Sequence, residues 1–496
     1  MSRPSRPWLR RAGWALAVLA LAVLYWLLPI HGQVAIAPGG VWKEPWPRWR
    51  VSPADGRGGP ITVQVSDVVG WPYVLATVDG QPVTVQWRRG STPGLYTWAF
   101  VLPALTDDAP VEVAFYHSCN TGCQRRASFV LGAEGALDGA LPPSPATGEP
   151  TKLCTVEANP ARAWHGRSGW EVTLTYAWLA DQPYWGIDDL AWRVQQATAQ
   201  GLRVLVRVDY DQGQSLPPAG DQRALALYLD YLRRLARDQR LVGVYGYVLG
   251  NGFNELAANS LDPERPVTPA WYARLFNGYG APAAQGDNAV QVMRVENPQV
   301  RLLVGPVRPW VNDQNGELPA AIDAPWLNYM HSLAAALDAG AQSKQAAGYA
   351  LAAPDGFALH APGRVGELGA AEPQSDQRRP EWNGAQAGFQ VYRDWLEIIN
   401  AFPSTRGLPA YITSTNTFVA AEGVTPADNY PAGWLSAALA EINAEPQVQA
   451  LCWFLDQDRS GDARWDDFSL TVQPGRMAEA AAEFDALLQA AQGTER

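Results

Sequence analysis

The sequence predicts an α/β chain: a TIM-type (β/α)8 barrel over 151–496, preceded by an all-β sandwich over 51–132 and an N-terminal transmembrane helix. Three observations carry this expectation. After residue 150, apolar strand-like runs alternate with amphipathic helical ones, the pattern of parallel βα units. Over 51–132 the runs are short, alternating or β-branched, with no helical period. Residues 12–30 carry no charged side chain.

Taken in order, the chain opens with a basic segment, 1–11, containing Arg3, Arg6, Arg10 and Arg11. The apolar run AGWALAVLALAVLYWLLPI over 12–30 follows, close to the length of about 20 residues that spans a bilayer as a helix. Arginines on its N-terminal side orient it with the N-terminus cytoplasmic and the bulk of the chain extracytoplasmic, as a single-pass cell-membrane protein. A cleaved signal peptide is the rival, with Ala35-Ile36-Ala37 as cleavage site; the length of the apolar run and Pro38 just beyond it favour an uncleaved anchor. The Pro- and Trp-rich stretch 31–50 reads as a spacer. The runs ITVQVSDV, PYVLATVDG, PVTVQWRR, LYTWAFVL, VEVAFYHS and RASFVLG are each bounded by Gly, Pro or Asp, and VDGQ is a hairpin-type turn. So many short strands in so little chain predict an immunoglobulin-like sandwich. Residues 133–150, AEGALDGALPPSPATGEP, form a linker by composition.

The barrel strands are expected at 152–156, 171–177, 202–210, 244–251, 301–307, 356–362, 409–415 and 450–456, with helices such as DQRALALYLDYLRRLARD and GFQVYRDWLEIIN between them. Thr268-Pro269 supplies a hydroxyl cap and a first-turn proline for one more helix. The first crossover is short for a regular helix. An open doubly wound sheet is the alternative fold, but no glycine-rich phosphate loop follows any strand.

Composition narrows the partners. A formal net charge of -11, with no Lys/Arg cluster outside the N-terminus, argues against nucleic acid. The 22 tryptophans suit either sugar faces or cores, since indole does both. The sequence points to no cofactor and no metal: the 5 histidines lack paired helical spacing, and Asp456-x-Asp458-x-x-Gly461-Asp462 lacks the length and final Glu of a calcium loop. Of the 4 cysteines, Cys119 and Cys123 are spaced to close a small disulfide loop in an exported protein. Cys154 and Cys452 fall on the first and last barrel strands, as two thiols or as a bridge.

Chemistry in such barrels gathers at the C-terminal strand ends. The residues there are Glu157, Arg207, Asp209, Tyr210, Asp211, Asn251, Asn254, Glu255, Arg308, His360, Ser414, Asn416, Trp453, Asp456 and Asp458, a polar and acidic set. Four segments, GYVLGNGFNE, DGFALHAPG, LPAYITSTNT and ALCWFLD, resemble the fourth, sixth, seventh and eighth strands of clan A glycoside hydrolases, the cellulase-like barrels. The resemblance implies a glycan or cell-surface polysaccharide as partner. It places Asn251 on a sugar hydroxyl, His360 along the subsite and Trp453 as a stacking platform. Arg207, Asp209, Tyr210, Asn254, Asn416 and Asp456 complete the candidate substrate-binding set.

The departures are as specific as the matches. The family's acid/base Glu falls on Gly252, its nucleophilic Glu on Ser414 and the sixth-strand Tyr on Pro362. Retaining hydrolysis uses two carboxylates about 5–5.5 Å apart, and neither Gly nor Ser supplies one. Glu255, three residues past Gly252, lies roughly 10 Å further along an extended chain and replaces the acid only if the loop folds back. An inverting pair drawn from Glu157, Asp209, Asp211, Asp456 and Asp458 is a further option; Ser414 with His360 as base lacks the nucleophile elbow. The expectation is a membrane-anchored glycoside hydrolase-like protein that binds carbohydrate with little or no retaining hydrolysis. A divergent hydrolase with relocated carboxylates, with Glu255 the candidate catalytic residue, is the alternative, and a protein-interaction module a second one.

Overall fold

The structure is a computed structural model that describes the strands between residues 35 and 131 and residues 149–489, except 283–285, 312–323, 350–351, 366–371 and 421. It divides into two compact units, Met1–Gly139 with Asp181–Asp189, and Ala140–Ala180 with Leu190–Arg496. The anchor read at 12–30 and the Cys119/Cys123 pair lie outside the described residues. Among the described residues, no helix is long and apolar enough to cross a membrane.

The first unit holds two five-stranded sheets. One runs Ala35–Ile36, Gln124–Leu131, Val111–His117, Val74–Val78, Gln81–Val83; the other runs Val41–Trp42, Arg48–Ser52, Ile61–Asp67, Tyr96–Leu102, Gln86–Arg89. Pairing is antiparallel throughout except for Ala35–Ile36 on Gln124–Leu131. Alternation along Ile61–Asp67 buries Val63 and Val65, as a half-buried strand requires. Trp98 of one sheet meets Phe115 of the other at 5.4 Å between ring centroids. Part of the stretch 31–50 therefore pairs into these sheets.

The second unit is a closed barrel of eight parallel strands: β1 (Glu149–Val156), β2 (Arg167–Tyr176), β3 (Arg203–Asp209), β4 (Val244–Leu249), β5 (Leu302–Val304), β6 (Gly356–His360), β7 (Ala410–Thr415) and β8 (Val448–Trp453). Helices α1 (Ile187–Ala199), α2 (Gln222–Arg237), α3 (Pro269–Asn277), α4 (Ala289–Glu296), α5 (Pro325–Ala346), α6 (Val391–Asn400), α7 (Pro426–Asn429), α8 (Trp434–Asn443) and α9 (Met477–Gln489) follow in order. They fill every crossover except the first, where residues 157–166 turn directly from β1 to β2. The β6–β7 connection carries in addition a small antiparallel pair, Arg378–Arg379 with Ala385–Gln386.

Local chemistry explains the helix ends. Asp221 caps α2 by accepting from the amides of Arg223 and Ala224, a contact worth about 1 kcal/mol. Leu225, Tyr228, Leu229, Leu232 and Leu235 form its buried face at helical spacing. Thr268 caps α3 by accepting from Trp271 N, with Pro269 in the first turn.

Alternation sets what fills the barrel. Trp170, Val172, Leu205, Val248, Leu303, Ala358, Tyr411, Ala450 and Cys452 belong to one buried cluster. Near the N-terminal ends of the strands it is closed by Trp170, Tyr245 and Tyr411, whose ring centroids lie 4.8 to 6.1 Å apart. Arg203 lies over Trp170 at 5.0 Å and Arg301 over Tyr245 at 4.5 Å, cation–π contacts on this plug. Following the same alternation, Arg207 is two residues past Leu205 and His360 two past Ala358, so both project into the opposite, C-terminal end.

β1 pairs with β8 to close the ring, and the paired residues Cys154 and Cys452 form a disulfide across that seam. The bridge spans 298 residues of chain, nearly the whole barrel. Replacing both cysteines with alanine is expected to lower stability by about 2–5 kcal/mol, mainly by releasing the unfolded chain. The measurement is the denaturation midpoint under non-reducing conditions, and an unchanged midpoint counts against a stabilising bridge.

Candidate functional site

The strand-end mouth contains one hydrogen-bonded pair of the kind the sequence pointed to. His360 Nε2 and Asn251 Oδ1 are 3.0 Å apart, with the ring nitrogen as donor. Asn251 is itself positioned by its backbone N–H, which donates to Ser215 Oγ at 2.6 Å. Burial, and then the charges of Arg308 and Arg207, hold the His360 imidazole well below its ordinary value, so it is uncharged at neutral pH.

Two ion pairs flank this centre. On β3, Arg207 donates through Nε and Nη2 to the single oxygen Asp209 Oδ2, at 3.0 and 2.6 Å. Asp209 Oδ1 is buried without a hydrogen-bond partner, and burial raises the carboxyl above its ordinary value while Arg207 opposes the shift. On the loop after β5, Arg308 Nε lies 3.0 Å from Glu255 Oε2, close enough for an ion pair although not aligned as a hydrogen bond. Glu255 is therefore tied to a guanidinium. Its backbone N–H donates to Gly252 O, so the chain turns after Gly252 instead of running on extended.

Gly252 has φ of 59°, in the left-handed region, and its N–H donates to Pro306 O of the next loop at 2.9 Å. Among the described residues, a Cβ built there meets Arg308, with Nε at 3.5 Å and Cβ at 3.9 Å. Gly305 beside it allows another close approach: a Cβ would fall 2.3 Å from the carbonyl oxygens of Leu249 and Gly250. On β7 the register shifts between Ile412 and Thr415, and Ser414 is the half-buried residue between buried Thr413 and Thr415.

Other strand-end candidates have local partners. Asn254 is buried and clamps the backbone of Arg308, accepting from its N–H at 2.8 Å and donating to its carbonyl at 3.0 Å. Asn416 accepts from Phe418 N at 2.9 Å, closing a turn. Tyr210 is buried, with its ring 6.5 Å from Tyr228. Asp456 is fully buried and takes a two-pronged bond from Arg162, with Nε at 2.9 Å and Nη2 at 2.7 Å, while Asn159 N donates to it at 3.0 Å. Asp458 accepts from Ser460 N and Asp462 N in a surface turn.

Trp453 is fully buried, its indole N–H donating to Phe468 O at 3.0 Å and its ring packed between Tyr430 and Trp434. It has no open face for a sugar. Phe454, the next residue, packs against the barrel interior and is half-buried. Alternation from Cys452 puts Phe454, not Trp453, on the interior face, a signal the sequence carried. Exposed aromatic surface comes instead from the loops: Trp178 after β2, 59% exposed and 6.2 Å from Tyr210, and Trp465 after β8, 36% exposed and 5.7 Å from Phe454.

Glu157, the strand-one carboxylate, is buried with φ of 50° and accepts from Leu174 N at 2.7 Å, Thr173 Oγ1 at 3.1 Å and Arg193 Nη1 at 3.2 Å. Beside it, Glu171 is pushed up to about 8, by burial first and then by the charge of Glu157. These groups lie in the β1–β2 wall against α1. A cleft of about 370 Å³ between the loop after β1 and α9, lined by Asn159, Arg162, Thr471 and Asp485 among others, contains none of the mouth residues. Among the described residues, no group of three or more His, Cys, Asp or Glu is placed to hold a metal ion.

No protein-family model and no curated protein matches the chain. Among solved structures it is similar to a Bacteroides ovatus GH5 xyloglucanase in complex with a XXXG heptasaccharide, at 12% identity over 92% of this chain and 98% of that one, with a TM-score of 0.37. At that level of superposition no residue of this chain takes a role from the other.

The raised Glu171 carboxyl has a stability consequence. Below its ordinary value of 4.5 both folded and unfolded chains are protonated; between there and about 8 the unfolded chain loses the proton while the folded one keeps it, so stability falls as pH rises. Glu171→Gln is expected to remove this loss, leaving the melting temperature close to wild type near pH 4 and above it near pH 9. A wild-type advantage at pH 9 would contradict the assignment.

Proposed function

We propose that the barrel unit is a glycoside hydrolase-like protein that binds carbohydrate at the strand-end mouth, with little or no retaining hydrolysis. The observation carrying this reading is the state of the mouth carboxylates. Positions 252 and 414 hold Gly and Ser, and the strand-end carboxylates Glu255 and Asp209 are each engaged by an arginine. A placed general acid contributes typically about 10²–10⁴-fold to such a reaction, and neither Gly nor Ser supplies one. What the mouth offers instead is hydrogen bonding from Asn251 and neutral His360, with apolar surface from Phe454. We also read residues 12–30 as a membrane anchor, with the barrel and an immunoglobulin-like first unit outside the cytoplasm; the Cys154–Cys452 bridge suits an oxidising compartment.

A divergent hydrolase is the second reading, and Asp209 is what favours it. A buried carboxyl with one oxygen lacking a partner and its proton affinity raised by burial has the character of a general acid.

The test uses the full chain with a panel of plant, fungal and bacterial polysaccharides, scored for reducing-end release and for retardation in affinity gels. Expected are retardation by at least one glycan, weakened by Asn251→Ala with His360→Ala, and no release above blank. Sustained release abolished by Asp209→Asn or Glu255→Gln overturns the non-hydrolytic reading, and retardation by none of the panel overturns carbohydrate binding.

A further inference from the structure

Among the described residues, Gly252 and Arg308 leave space beside each other at the mouth. The loop after β4 presents no side chain at 252, and among the described residues the atoms within 4 Å of a would-be Cβ belong to Arg308. The Arg308 side chain is 43% exposed although its Nε is buried, 3.0 Å from the Glu255 carboxylate and without an aligned hydrogen bond, so the exposure falls on the rest of the side chain. Its backbone is held from both sides by the Asn254 amide, so the guanidinium stem starts from a fixed point. Arg207 projects into the same end of the barrel and gives Nε and Nη2 to Asp209 Oδ2, with Nη1 outside that bond. Both arginines act electrostatically on His360, which bonds Asn251 between the fourth and sixth strands.

A guanidinium is a planar fork of donors matched to a carboxylate. Building on the carbohydrate-binding reading, we propose that the ligand itself supplies the missing carboxylate: the mouth takes a uronate-bearing oligosaccharide, with the sugar carboxylate over Gly252 against Arg308. In that arrangement Asn251, which bonds His360, and the partnerless Asp209 Oδ1 meet neighbouring hydroxyls. Gly252 is then what the site requires, because any larger side chain enters the space the carboxylate fills and strains a left-handed backbone.

The test compares oligogalacturonates, oligomannuronates and oligoglucuronates with their methyl esters, which keep the sugar shape and remove the charge, and with neutral xylo- and cello-oligosaccharides, by calorimetry on the full chain. At least one free acid is expected to bind about tenfold or more tighter than its ester, the scale of a charged hydrogen bond, and to weaken with added salt. Arg308→Met, which keeps most of the stem, is expected to erase the acid–ester difference, and Arg308→Lys to restore part of it; melting temperatures near wild type establish that both variants fold. Equal binding of acid and ester, a preference for neutral oligosaccharides, or an acid preference that survives Arg308→Met overturns the proposal while leaving carbohydrate binding in place. Failure of every oligosaccharide to bind overturns both.

Discussion

Closure of the barrel between its first and last strands is the constraint on which the rest of the second unit depends. β1 and β8 are 298 residues apart at their paired cysteines, yet they meet in parallel register, Leu153 with Leu451, Cys154 with Cys452 and Thr155 with Trp453. Parallel pairs need crossovers, and the helices between consecutive strands carry the chain back while covering the outer face of the strands. Once the ring is closed, no strand edge is left unpaired, and alternation divides each strand into one set of residues for the interior and another for the helices. The disulfide adds a covalent tie at the seam where the chain must travel farthest to find its partner.

Closure also gives the barrel two unlike ends. At the N-terminal ends of the strands, Trp170, Tyr245 and Tyr411 fill the interior, and Arg203 and Arg301 lie over the rings. Cations there cover apolar surface and keep their charge at the boundary with water. At the other end the interior residues change from Leu205 and Ala358 to Arg207 and His360, and the charges face one another in a partly enclosed space. Charge neutralisation follows from that enclosure: Arg207 finds Asp209, Arg308 finds Glu255, and His360 stays uncharged. The same economy governs the wall, where Glu157 takes Arg193 and Asp456 takes Arg162. Most carboxylates that read as candidate chemistry from their strand-end positions are thus half of an ion pair. Losing one partner of the buried pairs Glu157–Arg193 and Asp456–Arg162 would cost about 3–5 kcal/mol, so those carboxylates have a structural reason to be there.

Strand and helix positions were legible because each rests on local rules. Alternation marks strands, and a helical stripe with a capping residue marks helices; Asp221 and Thr268 do what their side chains do at any helix start. The order of βα units was then enough for a barrel, since parallel strands with right-handed crossovers leave few topologies. The lack of a helix between β1 and β2 was also visible, because too few residues separate them. The facing of Trp453 was legible in principle: counting by twos from Cys452 puts the indole outside and Phe454 inside, whereas the resemblance to cellulase-like barrels implied a sugar platform.

What the chain's order could not convey is which side chains meet. Asn254 read as a candidate substrate-binding residue, and its partner Arg308 is 54 residues away, both being drawn together by the junction of the fourth and fifth strands. Asp456 and Arg162 are 294 residues apart and pair because β1 and β8 are neighbours. The turn after Gly252, which brings Glu255 back to Arg308, depends on the Gly252 amide reaching Pro306 on another strand's loop. Residue type and spacing therefore determined the fold class and the presence of Gly and Ser at positions 252 and 414, since both are properties of short segments. The approach of Arg308 to Gly252, the burial of Trp453 and the neutral state of His360 were decided only by tertiary structure, because each depends on groups that come together when the barrel closes.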